Sequence, residues 1–195
     1  GSDYPTVELH RAAGLPSFAK SEYGYQKAVV HVYQRLQLGI LGWTRLNAEA
    51  GRVWGDLPYP LLILHSGNET LYYEDLAFNT MNYFEFISDR YAQLFVEHHF
   101  EGLFFNRVPL LRRLKWREVV TAKAVVGALD RERTERQMLL LPGMYTLNHG
   151  PYVEVGAGVE NILKVLSVEG VWRLRYLDHP DAVPFSVRLK LFLNF

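Results

Sequence analysis

The stretch Phe185-Ser-Val-Arg-Leu-Lys-Leu-Phe-Leu-Asn-Phe195 alternates between apolar and polar side chains along almost its whole length. Every odd-numbered position is apolar, and only Phe192 interrupts the polar series on the even positions. A strand sorts successive side chains onto two opposite faces, whereas a helix would scatter them around its circumference. The stretch therefore predicts a β-strand with one hydrocarbon face and one polar or cationic face.

The same two-residue period recurs in seven segments upstream, and no long stretch has the period of a helix. Together with the last strand they make eight candidate strands. The upstream segments are Thr6–Ala12, Ala28–Leu38, Thr44–Ala50, Tyr91–Phe100, Trp116–Ala128, Tyr152–Glu160 and Leu166–Tyr176.

Composition narrows the function classes. The 195 residues suffice for a single domain over residues 1–195, in which Gly1-Ser2 reads as a remnant of expression cloning. The absence of cysteine excludes disulfides and zinc–thiolate sites, and equal numbers of basic and acidic residues (21 each) argue against a nucleic-acid partner. No apolar run is long enough for a transmembrane helix, but a membrane β-barrel hides its spans in alternation.

Two architectures produce such strands: a soluble sandwich or lipocalin-like barrel that binds a ligand in an apolar cavity, and a membrane barrel with its apolar side outward. Most of the strands reach the 9–11 residues or so that a tilted crossing needs, and aromatic residues such as Trp43, Trp54 and Trp116 lie near their ends. The sequence therefore favours an all-β, antiparallel, up-and-down transmembrane β-barrel of about eight strands.

In that architecture the polar faces line the interior, where charges of both signs can pair. We expect a luminal charge network, and we expect the apolar face of the last strand to act as the signal that barrel assembly machinery recognises in outer-membrane barrels generally. The network comprises Arg45, Glu49, Glu97, His99, Lys123, Glu154, Glu169, Arg173, Arg175, Arg188 and Lys190. The signal comprises Phe185, Val187, Leu189, Leu191, Leu193 and Phe195.

If the carboxyl end lies on the periplasmic side, the connections alternate between the inner and the outer side of the membrane. Their lengths check this assignment, since bacterial barrels have long outer loops and short inner turns, and only segment 101–115 does not fit. The inner connections would be 38–43, 101–115 and 161–165. Within 101–115, the run from Pro109 to Trp116 reads as one or two turns of an amphipathic helix or as a long turn. The outer connections would be 13–22, 54–81, 130–150 and 178–184, and 54–81 could plug the lumen, cover its mouth or bind a partner.

Candidate reactive groups have simpler interpretations. Glu97-His98-His99, with His10 and His31 on other polar faces, could form a metal site, but paired interior histidines are favoured and we expect no metal. Gly156-Ala-Gly158 lacks the third glycine and the helix of a dinucleotide loop, so small residues facing a crowded interior explain it better, and we expect no cofactor.

A lipid-modifying hydrolase would need a serine–histidine pair near the outer rim. Ser66, Ser88 and Ser167 have no nucleophile-elbow context, and no serine is placed convincingly beside His149 or His179. We therefore expect no catalytic residues. The charge run Arg131–Arg136 reads as a solvated loop, with contact to lipopolysaccharide phosphates as an alternative.

Three longer blocks carry a family resemblance: Arg52–Leu62 with Gly67–Glu69, Ala77–Tyr91 with Glu97–Gly102, and Pro109–Val120. They resemble the carboxyl-terminal barrel of a Bacteroidetes-type outer-membrane family of unknown function, and the likeness extends over nearly all 195 residues. Members typically carry a carboxypeptidase-regulatory-like β-sandwich near the amino end. The barrel is in turn distantly similar to the assembly and translocation barrels that bear POTRA domains.

The resemblance implies that the chain is the last eight strands of a longer, non-enzymatic protein in the outer membrane of a Gram-negative bacterium. Its role would be anchoring, assembly or transport, in contact with outer-membrane lipids and lipopolysaccharide. Open strand edges would require a dimer or a partner barrel, but eight strands suffice for a small filled barrel, so we expect self-closure.

Overall fold

A computed structural model describes residues 4–15, 24–55, 62–130 and 142–192 of the chain. The described residues form strands and loops with one short α-helix, α1, at Pro109–Leu114, and short 3-10 helices at Gly39–Leu41 and Phe105–Arg107. The strands are β1 (Thr6–Gly14), β2 (Tyr25–Gln37), β3 (Trp43–Gly55), β4 (Ile63–Leu64), β5 (Phe86–Ser88), β6 (Arg90–His99), β7 (Arg117–Ala128), β8 (Tyr145–Thr146), β9 (Tyr152–Ile162), β10 (Leu166–Arg173) and β11 (Phe185–Leu191).

Eight of these strands form one sheet in the order β1-β2-β3-β6-β7-β9-β10-β11. Every neighbouring pair is antiparallel, and each of the eight predicted segments supplies one strand, so the all-β antiparallel prediction is confirmed. A second, small sheet, β4-β5-β8, in which β5 and β8 are parallel, was not predicted. Its strands of two or three residues are too short for alternation to reveal.

The large sheet is not closed among the described residues, because β1 pairs only with β2. At the other edge, residues 71–73 occupy part of β11: Leu189 N–H donates to the Leu71 carbonyl at 3.0 Å, and Tyr73 N–H donates to the Leu189 carbonyl at 2.8 Å. The expected pairing of β1 with β11 is therefore not found, and this segment occupies the Leu189 backbone that such a pairing would use.

The two faces of the sheet have opposite polarity to those of a soluble sandwich. Val126 on β7 is 48% exposed and Val187 on β11 is 47% exposed, whereas Lys123 is 3% and Glu154 1% exposed. Alternation thus turns the ionic side chains inward, together with some apolar ones such as Val119 and Val125, and leaves mainly hydrocarbon side chains on the outer face. The same outward exposure applies to Val30, Leu94, Val120, Trp172, Phe185 and Leu191.

Residues 62–85, which we call the covering segment, lie against the ionic face of the sheet. Phe78 and Met81 of this segment are fully buried and pack with Phe86, Phe95 and Tyr152 in the main hydrophobic cluster. The ring of Phe78 meets those of Phe95 and Tyr152 edge-to-face, at centroid distances of 4.9 and 5.2 Å. The core therefore lies between the sheet and a long connection rather than between two sheets.

The sheet is strongly curved. Lys190 on β11 lies 3.6 Å from the Glu97 carboxylate on β6, although β7, β9 and β10 separate these strands. In a flat sheet, four strand spacings of about 4.8 Å would hold the two backbones about 19 Å apart. The sheet must therefore bend toward its ionic face to bring the two side chains together.

The connections β2–β3, β6–β7 and β9–β10 all lie at one end of the sheet, which we call the α1 end. The predicted helical turns are confirmed there as α1, which begins at Pro109, where a missing N–H costs nothing. Among the described residues no helix combines the length and hydrophobicity needed to cross a membrane.

Candidate functional site

The ionic face and the covering segment meet in a layer of charged side chains. The first part of this layer centres on Asp75. The Arg45 guanidinium lies 3.1 Å from Asp75 and 2.6 Å from Glu97. Lys190 lies 2.6 Å from Asp75 on the other side. Two cations and two carboxylates from β3, β6, β11 and the covering segment thus neutralise one another in a partly buried position, where their side chains are 12% to 33% exposed.

The second part of the layer holds the covering segment by its backbone. Lys123 Nζ donates to the carbonyls of Glu74 and Ala77, at 2.7 and 2.6 Å. The Glu154 carboxylate accepts from the backbone N–H groups of Asn79 and Thr80, at 2.8 and 3.0 Å. A buried charge is tolerable only when it is paired or hydrogen-bonded, and backbone dipoles of the segment supply that solvation here.

Arg188 on β11 also holds the covering segment by its backbone. Its Nε donates to the Asn79 carbonyl at 3.0 Å and its Nη2 to the Asn68 carbonyl at 2.9 Å, and it also contacts the carbonyl of Thr70. One guanidinium therefore ties three points of the covering segment to the last strand. Lys123, Glu154 and Arg188 together fix the path of residues 68–80.

The third part is an ion pair near the opposite end of the sheet. Arg173 on β10 binds the Glu85 carboxylate through both terminal nitrogens, and His179 Nδ1 lies 2.8 Å from the same carboxylate. Burial alone would raise the pKa of Glu85, but the hydrogen bonds from Arg173 and His179 outweigh it and hold that pKa below its usual value. Glu85 is thus a permanent anion at physiological pH.

Glu97, His99 and Glu160 are, among the described residues, the group whose ligand atoms lie close enough to hold a metal ion, within 4.8 Å of one another. However, His99 Nδ1 is 2.7 Å from Glu160, and its Nε2 is 3.0 Å from Glu97. The ring of Trp43 also stacks on the imidazole at 3.7 Å. Carboxylate oxygens lie within 3.0 Å of both ring nitrogens, although the Nε2 contact lacks hydrogen-bond geometry. Arg45 and Lys190 repel a further cation, so the geometry fits an ionic cluster.

The other predicted histidines do not join this cluster. His98 points to the opposite face and lies 2.8 Å from the hydroxyl of Thr44. His10 is exposed and 3.3 Å from Glu8 on β1. Neighbouring strand residues face opposite sides, which separates the two histidines of the Glu97-His98-His99 motif.

The remaining network residues divide into two groups. Glu49 accepts hydrogen bonds from Tyr91 and from Gln93, the latter at 3.2 Å, and Glu169 accepts one from Thr121, all on the ionic face. Arg175 is exposed and lies apart from the layer. Strand β10 ends at Arg173, so the alternation that assigned Arg175 to the interior no longer orients it.

The glycines of the Gly156-Ala-Gly158 motif lie inside β9 and face the layer. A Cβ at Gly158 would lie 2.6 Å from the Val168 carbonyl oxygen on β10. At Gly156 it would lie 2.1 Å from the Glu169 carboxylate and 2.3 Å from the Thr121 hydroxyl. Close packing, as predicted, rather than a phosphate loop explains these small residues.

A serine–histidine pair that the sequence did not reveal is also present. Ser88 Oγ lies 2.9 Å from His65 Nε2, with the Tyr91 ring edge-on to the imidazole at 5.3 Å. Ser88 is fully buried and His65 is 4% exposed, and burial lowers the pKa of His65 to about 4. The enclosed serine and weakly basic imidazole make this a structural hydrogen bond, while Ser66, Ser167, His149 and His179 form no comparable pair with each other. Twenty-three residues separate the two partners, so no local motif could have signalled them.

Of the predicted assembly signal, Phe185, Val187 and Leu191 are about half exposed on the outer face of β11, and Leu189 is partly buried. Leu193 and Phe195 lie outside the described residues, as does the charge run Arg131–Arg136.

Comparison with known families gives one assignment. Residues 1–135 match the C-terminal domain of a family of unknown function, DUF5686, so the match covers β1 to β7 and stops before the final strand. No protein of curated function matches the chain. The chain belongs to the DUF5686 family, as its C-terminal domain.

Proposed function

We propose that this chain is the membrane-embedded, non-enzymatic carboxyl-terminal β-barrel portion of a larger protein in the outer membrane of a Gram-negative bacterium, where it serves anchoring, assembly or transport. The carrying observation is the inverted polarity of the sheet. Valine, leucine and aromatic side chains are exposed on its outer face while lysine, arginine and glutamate are buried beneath it.

In water this arrangement is unfavourable twice over. Each exposed square ångström of apolar surface forgoes about 25 cal/mol of burial free energy, and each interior charge must be desolvated. Acyl chains around the outer face would remove the first cost. The cost of desolvating the interior charges is offset within the protein, because Lys123, Glu154 and Arg188 form hydrogen bonds with the covering segment. Lipid is the solvent that suits both faces.

Curvature supports a barrel wall rather than a flat sheet. The contact between Lys190 and Glu97 brings side chains of β11 and β6 together over the ionic face. A strand edge facing lipid would leave backbone groups unsatisfied, so in the membrane the exposed edge of β1 must be paired. We propose that β1 pairs with further strands of the longer protein, with a partner barrel, or with β11 after residues 71–73 withdraw.

The behaviour of the covering segment distinguishes an anchor from a transporter. It fills the interior beside the ionic face and is fixed by at least three buried charged side chains. In an anchor such a plug can remain in place permanently. In a transporter it must move, which would expose Lys123, Glu154 and Arg188 to the transported molecule.

Phe195 and the apolar face of β11 would serve as the signal read by the barrel assembly machinery. We expect deletion of Phe195 to lower insertion into the outer membrane. Deletion of Gly1 is the matched control. Unchanged insertion of the protein lacking Phe195 would remove this role.

The test of the proposal is purification with and without detergent, followed by gel migration of unheated and heated samples. We expect aggregation without detergent and, with it, a folded band that shifts on heating. L94R, which places a charge on the outer face at the middle of β6, should destabilise the folded protein in lipid by about 2–4 kcal/mol, whereas L163R in the exposed β9–β10 turn should have little effect. A monodisperse, folded protein without detergent would instead indicate a soluble barrel.

A further inference from the structure

The α1 end carries an unusual combination of exposed side chains. Its turns expose large apolar residues: Ile40 is 88%, Leu163 84% and Leu110 69% exposed. Beside them, exposed cations are concentrated in and around α1 and the β9–β10 turn. These cations are Arg107, Arg112, Arg113, Lys115 and Lys164.

None of these five cations forms an ion pair with another described residue. The nearby Arg117 is paired with Glu101 at 3.5 Å, and Glu118 is turned inward to accept from the Phe104 backbone. The opposite end of the sheet differs, since its described exposed charges include Asp130, Asp178 and Asp181 as well as Arg52, Arg90 and Arg175. Among the described residues, net positive charge is therefore greater at the α1 end.

The geometry joins these turns into one surface. Asn161 Nδ2 donates to the Lys115 carbonyl at 2.7 Å and so ties the β9–β10 turn to the end of α1. Trp43 Nε1 donates to Glu101 at 3.1 Å and ties the β2–β3 turn to the connection that carries α1. Apolar side chains and unpaired cations thus lie around the same rim of the sheet.

We propose that the α1 end is a docking surface for an anionic phospholipid leaflet. The inference rests on the proposed membrane location and deepens it by naming the lipid headgroup. Leu110, Leu114 and Ile40 enter the acyl boundary, while Arg112, Arg113 and Lys115 bind phosphate oxygens at headgroup depth. Interfacial amphipathic segments place apolar and basic side chains in the same way. Charge complementarity selects acidic over zwitterionic lipid.

The experiment uses tryptophan quenching by brominated lipids. Trp54 and Trp172, which are 42% and 44% exposed, lie at the opposite end of the sheet. A W54F/W172F background therefore leaves Trp43 and Trp116 as reporters at the α1 end. The protein is reconstituted in phosphatidylcholine vesicles, and brominated phosphatidylglycerol or brominated phosphatidylcholine is titrated in.

Each Lys or Arg at an anionic leaflet contributes roughly fivefold to association, so three cations would favour phosphatidylglycerol by about a hundredfold without screening. At moderate salt, screening reduces this, and we expect a preference of about tenfold or more. R112Q/R113Q/K115Q should reduce this preference to near one. The charge-conserving variant R112K/R113K/K115R should keep it, which separates charge from the fold of α1. Raising the salt concentration should weaken the preference of the wild type.

The two proposals fail differently. Quenching by both brominated lipids without preference would overturn the leaflet proposal alone and leave the membrane location standing. Absence of quenching by either lipid would overturn the membrane location and this inference with it. Retention of the full preference by the glutamine variant would also overturn the assignment to these three cations.

Discussion

Arg173 on β10 and Glu85 at the end of the covering segment form a bidentate ion pair that is almost completely enclosed. The two nitrogen–oxygen distances are 2.7 and 3.0 Å, and the side chains are 0% and 2% exposed. The same guanidinium lies 5.0 Å over the ring of Tyr152 and donates to the carbonyl of Tyr176 at 2.7 Å. Arg173 thus connects the sheet, the covering segment and the residues that follow β10.

We predict that R173M destabilises the protein by about 3–5 kcal/mol, because it leaves the Glu85 carboxylate buried without its main partner. The double variant R173M/E85M should recover much of this loss, since no isolated charge remains. Urea unfolding in detergent, monitored by the heat-shifted gel band, measures the stability of both variants. R117Q is the control: its partner Glu101 is 45% exposed, and we expect a loss below about 1 kcal/mol. Equal losses in R173M and R117Q would contradict a structural role for the buried pair.

We further predict an acid-sensitive contribution from His65. Its pKa is lowered from 6.5 to about 4 in the folded protein, so the folded state binds fewer protons than the unfolded state between these values. The stability contribution is therefore complete above pH 6.5 and is lost as the pH falls toward 4, to a total on the order of 3 kcal/mol.

H65Q, in which the side-chain amide can still bond to Ser88, should remove this part of the pH dependence. H149Q, which deletes an exposed imidazole, should keep it. Unfolding midpoints of the wild type and both variants, measured from pH 7 to pH 4, test this prediction. A wild-type profile that H65Q does not flatten would exclude His65 as the titrating group.

Gly158 should tolerate no side chain. G158A would force a methyl group to within 2.6 Å of the Val168 carbonyl oxygen and 2.9 Å of the Glu169 Cα, and this backbone cannot turn aside as a side chain could. We expect a loss of about 1–3 kcal/mol or a lower refolding yield. A157V, at the neighbouring position on the exposed face, should have little effect. Indistinguishable unfolding curves for the two variants would contradict the packing at this site.

The sequence predicted the strands well because alternation is a local signal. In β11 the pattern around Arg188 and Lys190 fixes which side chains share a face, whatever lies next to the strand. The signal for the start of α1 is equally local, since Pro109 favours the first turn of a helix. Both signals can be read within ten residues.

The contacts of the covering segment could not be predicted in this way. Arg188 binds carbonyls of Asn68, Thr70 and Asn79, and a backbone carbonyl has no residue type that a motif could reveal. Short β4, β5 and β8 were missed because two or three residues cannot show a period. Arg175 was assigned to the interior because alternation says nothing about where a strand ends.

The central claim is that hydrocarbon side chains face lipid and ionic ones face the interior, and two adjacent residues of β6 test it. Leu94 is 44% exposed on the outer face, whereas Gln93 lines a half-open cavity of about 310 Å³ on the ionic face with Glu49 and His31. The chain has no cysteine, so L94C and Q93C each carry one spin label. In vesicles we predict that the L94C label collides with oxygen but not with a water-soluble nickel chelate, and that the Q93C label does the reverse. A label at L94C that the nickel chelate reaches freely, with Q93C in hydrocarbon, would contradict the account.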